Sequence, residues 1–233
     1  MEKVEEITII IPTLDESKNI GNLIKYLKLH ALRPVQIIVS DGGSSDNTVS
    51  IAKHEGAMVV KSLKKGRASQ MNFGASFSTG NILYFVHADC LPPENYFENI
   101  TESVKQGSHL GRFQTKFKSR SILLKFNSFF TKFDWFICYG GDQTLFITAD
   151  TFKKINGFDE KMLIMEDYDI VKRARSQFQY AILNGKVLVS ARKYETNSWL
   201  KVQLANRTIV KMYKKGFSQE ILAAEYKQLL NYR

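Results

Sequence analysis

His87-Ala88-Asp89 closes a run, Ile82 to Val86, that is apolar, β-prone and uncharged. Such a run suits a strand covered on both faces, as in a parallel sheet. Asp89 therefore stands where ligands of open α/β sheets bind, at the carboxyl end of a strand. There a carboxylate can hold a divalent cation, and the cation a diphosphate. Equally, Asp89 can serve only to cap the loop before Pro92-Pro93. Gly66-Arg67 precedes a helix pattern over residues 68–77. A helix start with glycine before it and arginine beside it is a good anion site. Glu166 and Asp167 open a later helix pattern, where acidic side chains suit the helix dipole with no reaction implied.

The elements that must position these groups can be read along the chain. Residues 7–11 form a first strand closed by Pro12, and a helix with Ile20, Leu23, Ile24 and Leu27 at helical spacing runs to about Leu32. Residues 35–39 form a second strand ending in Ser40-Asp41-Gly42-Gly43, whose glycines free the backbone. Ser45 or Asp46 can cap the next helix, through Lys53, and residues 57–60 form a third strand. Strands alternating with helices predict βαβ units and a parallel sheet. The right-handed crossover rule then brings Pro12-Thr13, Asp41-Gly42-Gly43 and His87-Ala88-Asp89 to one sheet edge. Further on, residues 108–118 alternate as an antiparallel or edge strand, and residues 120–138 form an unusually aromatic amphipathic helix. That helix either faces the core, lies on a membrane surface or lines an acceptor channel. A polar turn at 139–143, a strand at 144–148, a final strand at 187–190 and two C-terminal helices, 197–215 and 219–230, complete the pattern.

Composition narrows the classes. With 233 residues, 44% hydrophobic and 24% charged, the chain reads as one globular domain, with a nucleotide-binding half over 1–110, an acceptor and catalytic half over 111–195, and C-terminal helices over 196–233. No run of 18 apolar residues occurs, and an acidic N-terminus leading directly into a strand reads as lacking a signal peptide. Cys90 and Cys138 have no metal-ligand spacing and read as reduced cytosolic thiols. The net charge of +10 is uneven: residues 1–110 hold 11 Lys/Arg against 12 Asp/Glu, residues 111–233 hold 22 against 11. A basic half can meet a phosphorylated substrate, anionic lipid or simply water. No nucleic-acid-binding signature accompanies it, so no nucleic-acid partner is expected.

Taken in order, Thr8-Ile-Ile-Ile-Pro12-Thr13-Leu-Asp-Glu16, Val39-Ser-Asp41-Gly42-Gly43-Ser44-Ser45-Asp46, the strand ending His87-Ala88-Asp89, and Met165-Glu166-Asp167 resemble the family 2 glycosyltransferases. The resemblance covers residues 7 to about 192. It implies an α/β GT-A fold, a Rossmann-like, mostly parallel mixed sheet flanked by helices, and inverting transfer from a nucleotide-diphosphate sugar, UDP ahead of GDP. By position, Pro12, Thr13 and Glu16 would border the nucleobase and ribose, Asp41 would hold the base or ribose, and Gly43 would allow close approach. Arg67 would lie over the nucleotide or its phosphates, with Arg192 helping, and Asp89 would ligate a divalent cation, Mn²⁺ or Mg²⁺. Asp167 would be the general base, with Glu166 beside it. Gly141-Asp142-Gln143 and Ser190-Ala191-Arg192 resemble a bacterial subgroup of unnamed substrate.

The family motif has Asp at both ends, and here the first is His87. Imidazole suits Mn²⁺ better than Mg²⁺; alternatively His87 and Ala88 only contact the nucleotide, leaving Asp89 as the protein ligand. Two other functions compete. A nucleotidyltransferase would need a glycine-rich, lysine-bearing signature after the first strand, which Ile11-Pro12-Thr13-Leu14 is not. A catalytically degenerate nucleotide-sugar-binding or interaction protein is favoured by His87 and opposed by Asp89, Glu166 and Asp167. The acceptor is undetermined; a lipid-linked one would place the protein at the inner face of the membrane. The segment from Gly157 to Met165 could act as a lid, since loops beside such sites often move.

Overall fold

The computed structural model describes residues 5–136 and 144–230. The expected turn at 139–143, including Gly141, Asp142 and Gln143, and Cys138 lie outside them. The first half alternates β1 (Ile7–Thr13), α1 (Ile20–Leu29), β2 (Gln36–Asp41), α2 (Thr48–His54), β3 (Met58–Lys61), α3 (Arg67–Ala75) and β4 (Ile82–Phe85). Then come β5 (Cys90–Leu91), α4 (Tyr96–Lys105), β6 (Leu110–Phe117), α5 (Ile122–Phe130), β7 (Leu145–Thr148) and α6 (Ala149–Lys154). The rest is α7 (Glu166–Arg175), β8 (Tyr180–Val189), α8 (Lys193–Thr196), α9 (Trp199–Lys214) and α10 (Gln219–Leu229).

The strands form one eight-stranded sheet in the order β3-β2-β1-β4-β7-β6-β8-β5. β1 through β4 pair in parallel, as the βαβ pattern requires, while β7 runs antiparallel to both β4 and β6. Ile9 and Ile11 of β1 join a core with α1 and α4, and Ile10 joins a second core with α3 and α7. The two-residue period of the strand sends alternate side chains to opposite faces, so both faces are covered by helices. A small separate cluster, Val202, Ala205 and Leu230, joins α9 and α10.

Several boundaries differ from expectation. β1 continues through Pro12 to Thr13. The Ile10 carbonyl accepts from Val86 N–H, so Pro12, two residues on, turns its missing donor to the same side, where pairing with β4 has already ended at Ile10. A proline is harmless at such a position. α1 stops at Leu29, three residues short of the expected end. β6 is no edge strand: it sits between β7 and β8, antiparallel to one and parallel to the other. β8 begins at Tyr180 rather than 187, and short β5 pairs with it. Asn184 and Gly185 interrupt the pairing of β8, where the register shifts opposite Phe113/Gln114. The aromatic segment divides: α5 spans only nine residues and buries only Leu124, so this helix does not face the core, whereas Phe136 beyond it packs against the second core.

Gly111 shows how tightly β6 is wedged. A Cβ there would lie 2.3 Å from the Ala181 carbonyl and 2.7 Å from the Phe146 ring, with backbone on one side and a buried ring on the other. Gly111→Ala is expected to cost about 2–3 kcal/mol through overpacking. A chemical denaturation midpoint equal to that of the parent would refute this packing.

Candidate active site

Topology alone puts the carboxyl ends of β1, β2 and β4 side by side. The loops there are stitched together. Gly42 N–H donates to the Thr13 carbonyl at 2.9 Å, and Thr13 Oγ1 donates to Asp41 Oδ1 at 3.3 Å. Asp41 is buried, and its Oδ2 also accepts from Gly43 N–H at 2.8 Å and Ser44 N–H at 2.9 Å, while the Ser44 hydroxyl donates to Oδ1. A carboxylate has about four acceptor positions, and protein donors fill them here. Contact between Asp41 and a ribose or base therefore requires exchange of one of these donors. Gly43 has φ 100°, a conformation that favours glycine, and the space beside its Cα is open.

Sequence reasoning missed three residues that hold this loop pair. Asp15, at φ 54°, accepts from Ser45 N–H at 2.8 Å, and Ser44 Oγ accepts from Asp15 N–H at 2.9 Å. Buried Gln70 reaches up from α3 and donates through Nε2 to the Thr13 carbonyl at 2.8 Å and the Ser40 carbonyl at 2.9 Å. No local signal marks Gln70, because its partners lie 57 and 30 residues away. Ser45 or Asp46 was expected to cap α2, but the cap position is held by Asn47 with no side-chain cap bond; Asp46 lies just before it, its Oδ1 accepting from Thr48 N–H at 2.9 Å and its Oδ2 from Ser17 N–H at 3.1 Å.

On the other side of these loops, Arg192 joins the two ends of the chain. One guanidinium nitrogen donates to Asp89 Oδ2 at 2.8 Å and to Glu16 Oε1 at 3.1 Å. Arg192 stands between β8 and α8, so the last strand is what carries it to the loop after β4. Burial alone would raise the Asp89 carboxyl, but the Arg192 hydrogen bond and the charges of His87 and Arg192 outweigh it and hold its pKa below the usual range. Burial likewise works against Arg192, and hydrogen bonds to the two carboxylates raise its pKa nonetheless. His87 is half-buried; Ala88 is buried and packs into the core, so it faces a ligand only through its backbone. Pro12 is buried within β1.

Arg67 begins α3 behind Gly66, whose φ is 116°. Its Nε lies 3.2 Å from Oε1 of Glu166, which is buried, and thus ties the start of α3 to α7. Glu166 and Asp167 are both buried in the first turn of α7. Met165 before them adopts φ 67°, a strained conformation for a side chain of this size. The neighbouring loop is latched to α3 as well: Asn72 Nδ2 donates to the Phe158 carbonyl at 2.9 Å, and Lys64 pairs with Glu160 at 2.8 Å.

A divalent cation fits this donor set in one way. Asp89 and Glu16 already converge on a single cation, the Arg192 guanidinium. Among the described residues, no group of three or more His, Cys, Asp or Glu side chains could hold an ion by itself. An ion here would take Asp89 from the protein and its remaining ligands from a diphosphate and water, a common arrangement for nucleotide-bound cations.

A family model described as glycosyl transferase family 2 matches residues 8–139, more than half of the chain and all of the β1 to β4 loop set. The chain belongs to glycosyl transferase family 2. A relative within this family's range, the 4,4'-diaponeurosporenoate glycosyltransferase of Staphylococcus haemolyticus, is 32% identical over 118 residues, 47% of this chain and 31% of the relative. The chain spans about a third of the length of the curated relatives it matches. Among solved structures, glucosyl-3-phosphoglycerate synthase from Mycobacterium tuberculosis, in complex with Mn²⁺, UDP and glucosyl-3-phosphoglycerate, matches with TM-score 0.62 at 14% identity, over 98% of this chain and 81% of that one. Mannosyltransferase PcManGT from Pyrobaculum calidifontis, in complex with GDP-Man and Mn²⁺, matches with TM-score 0.63 at 17% identity, over 97% and 70%. These likenesses establish the shared GT-A fold.

Proposed function

We propose that this family 2 chain is an inverting glycosyltransferase that uses a nucleotide-diphosphate sugar, UDP-linked ahead of GDP-linked. The observation that carries the reading is the convergence of Thr13–Asp41, Glu16–Arg192–Asp89 and Arg67–Glu166 around the carboxyl ends of β1, β2 and β4, with Asp167 next in the chain. Two solved structures of the same fold are complexes with UDP or GDP-mannose and Mn²⁺, which supports the reading.

In the proposed reaction the acceptor oxygen forms a bond to the anomeric carbon as the bond from that carbon to the diphosphate oxygen breaks. Asp167 takes the proton from the acceptor hydroxyl. Arg67 and Arg192 face the charge that builds on the departing diphosphate. A divalent cation held by Asp89 would supply Lewis-acid neutralisation of the same charge, and His87 beside Asp89 favours Mn²⁺ over Mg²⁺. Pro12, Thr13, Glu16, Asp41 and Gly43 line the nucleoside end. Residues 111–195 would receive the acceptor, and their basic excess suits a phosphorylated, lipid-linked molecule reached from the cytoplasmic face.

The test is thermal denaturation with UDP, GDP, CDP and their sugars, each with Mn²⁺, Mg²⁺ or chelator. Ligand at about one hundred times its dissociation constant should stabilise the protein by about 2.7 kcal/mol. One nucleotide series is expected to do so in a metal-dependent way. No shift with any of them overturns the proposal.

A further inference from the structure

A helix that belongs to a globular core normally turns its apolar stripe inward. α5 does the reverse. At 100° per residue, Ile122, Phe126 and Phe129 fall within one third of its circumference, and they are 79%, 56% and 53% exposed. Buried Leu124 lies on the opposite side. Leu123 and Trp135, 48% and 50% exposed, widen the apolar area, and the Trp135 ring stacks on Phe133 at 4.9 Å.

This outward face is held in place by the fold. Buried Arg112 of β6 donates to the Thr131 carbonyl at 2.7 Å and to the Phe133 carbonyl at 3.2 Å. Thr131 Oγ1 accepts from Thr115 N–H at 2.9 Å, and Trp199 Nε1 donates to Asn127 Oδ1 at 3.2 Å. Burying a guanidinium beneath a nine-residue helix is costly where its donors go unused; here Nη1 and Nη2 fix the end of the segment that leaves the aromatic face in water, while Nε makes no hydrogen bond among the described residues. The segment also leads to the catalytic helix, since Phe136 packs on Tyr168 of α7 at 5.2 Å.

The stretch that carries the face is basic. From Gly111 to Phe133 the chain has no acidic residue, and besides buried Arg112 it carries Lys116, Lys118, Arg120, Lys125 and Lys132, all exposed. Lys132 lies over the Phe129 ring at 3.6 Å, with its charge at the edge of the aromatic area. The next acid, Asp134, is engaged by Arg175 through both of its oxygens. A second copy of the chain would bring an identical basic rim against this one, which is unfavourable. An anionic bilayer offers both an apolar layer for the rings and opposite charge for the rim.

We propose that the outward face of α5, with Trp135 and its basic rim, docks on an anionic lipid surface. This names where a lipid-linked acceptor would be met, and for that purpose it rests on the transferase reading, although its test does not. The full chain is mixed with vesicles of phosphatidylcholine alone or with phosphatidylglycerol and separated by flotation. Binding is expected with the anionic vesicles and to fall about fivefold for each of Lys118, Arg120, Lys125 and Lys132 changed to Gln. Phe126→Ser combined with Phe129→Ser should lower it by at least about tenfold. These side chains are exposed, so unchanged melting temperature and unchanged nucleotide-induced stabilisation serve as controls for folding. No binding, equal binding to neutral vesicles, full binding by the aromatic double variant, or a dimeric mass that this variant abolishes would each overturn the inference. Loss of nucleotide stabilisation in the parent chain would strike the transferase reading and leave this one standing.

Discussion

Asp167→Asn is expected to lower kcat by about 10²–10⁴-fold, the usual contribution of a positioned general base, while nucleotide binding stays at the parent level. The substitution keeps size and hydrogen-bonding shape in a buried position at the start of α7. In the proposed reaction it would remove the capacity to take a proton from the acceptor hydroxyl. Glu166 provides the internal contrast. Its carboxylate lies 3.2 Å from Arg67, so Glu166→Gln should act through Arg67 and raise the nucleotide dissociation constant more than it lowers kcat. Steady-state kinetics beside nucleotide titration separate the two. Normal turnover by Asp167→Asn would remove Asp167 from the reaction, and a larger kcat loss in Glu166→Gln would move the base to Glu166.

The second large effect is expected at Asp89. Asp89→Asn should remove most of the metal-dependent part of nucleotide binding. If the affinity falls about a hundredfold, a ligand concentration that stabilised the parent by about 2.7 kcal/mol stabilises the variant by only about 0.4 kcal/mol. Arg192 keeps Glu16 as a partner in this variant, so the loop arrangement should survive, while the ligand-free melting temperature should fall modestly near neutral pH, where the Asp89–Arg192 pair stabilises the parent. Towards low pH this gap should close. The folded-state pKa of Asp89 is lowered, so its stabilisation is fully present above the ordinary carboxylate pKa of about 3.9 and is lost as pH falls through the lowered value. Asn at this position has no such dependence. Melting temperature against pH for both proteins checks this, and identical acid limbs would show that the Asp89–Arg192 pair does not act in solution. Equal metal-dependent shifts in both proteins would show that Asp89 holds no cation.

The alternation of strands and helices up to Phe85 could be read directly, because β1 is dominated by isoleucine, β4 is an uninterrupted apolar run, and α1 repeats its apolar residues at helical spacing. Their parallel order then places Thr13, Asp41 and Asp89 at one edge without further information. Beyond Asp89 the reading weakened where polarity interrupts a pattern. Asn184 and Gly185 look like a turn, yet β8 runs through them, because β6 supplies partners on both sides of the irregularity. The aromatic run after Arg120 looks like core by composition, and only the tertiary structure shows Phe126, Phe129 and Trp135 turned to the surface while Phe136 packs inward.

By itself the sequence determined the family, the sheet that carries the site and the residue types that bear charge there. These depend on local periodicity and on motifs a few residues long. Only the tertiary structure decided which charges neutralise which. Arg192 meets Asp89 across 103 residues, Gln70 meets Thr13 across 57, and Arg67 meets Glu166 between two helices. Such pairings are set by how strands are ordered and crossed, and strand order is a property of the whole packed sheet rather than of any one segment.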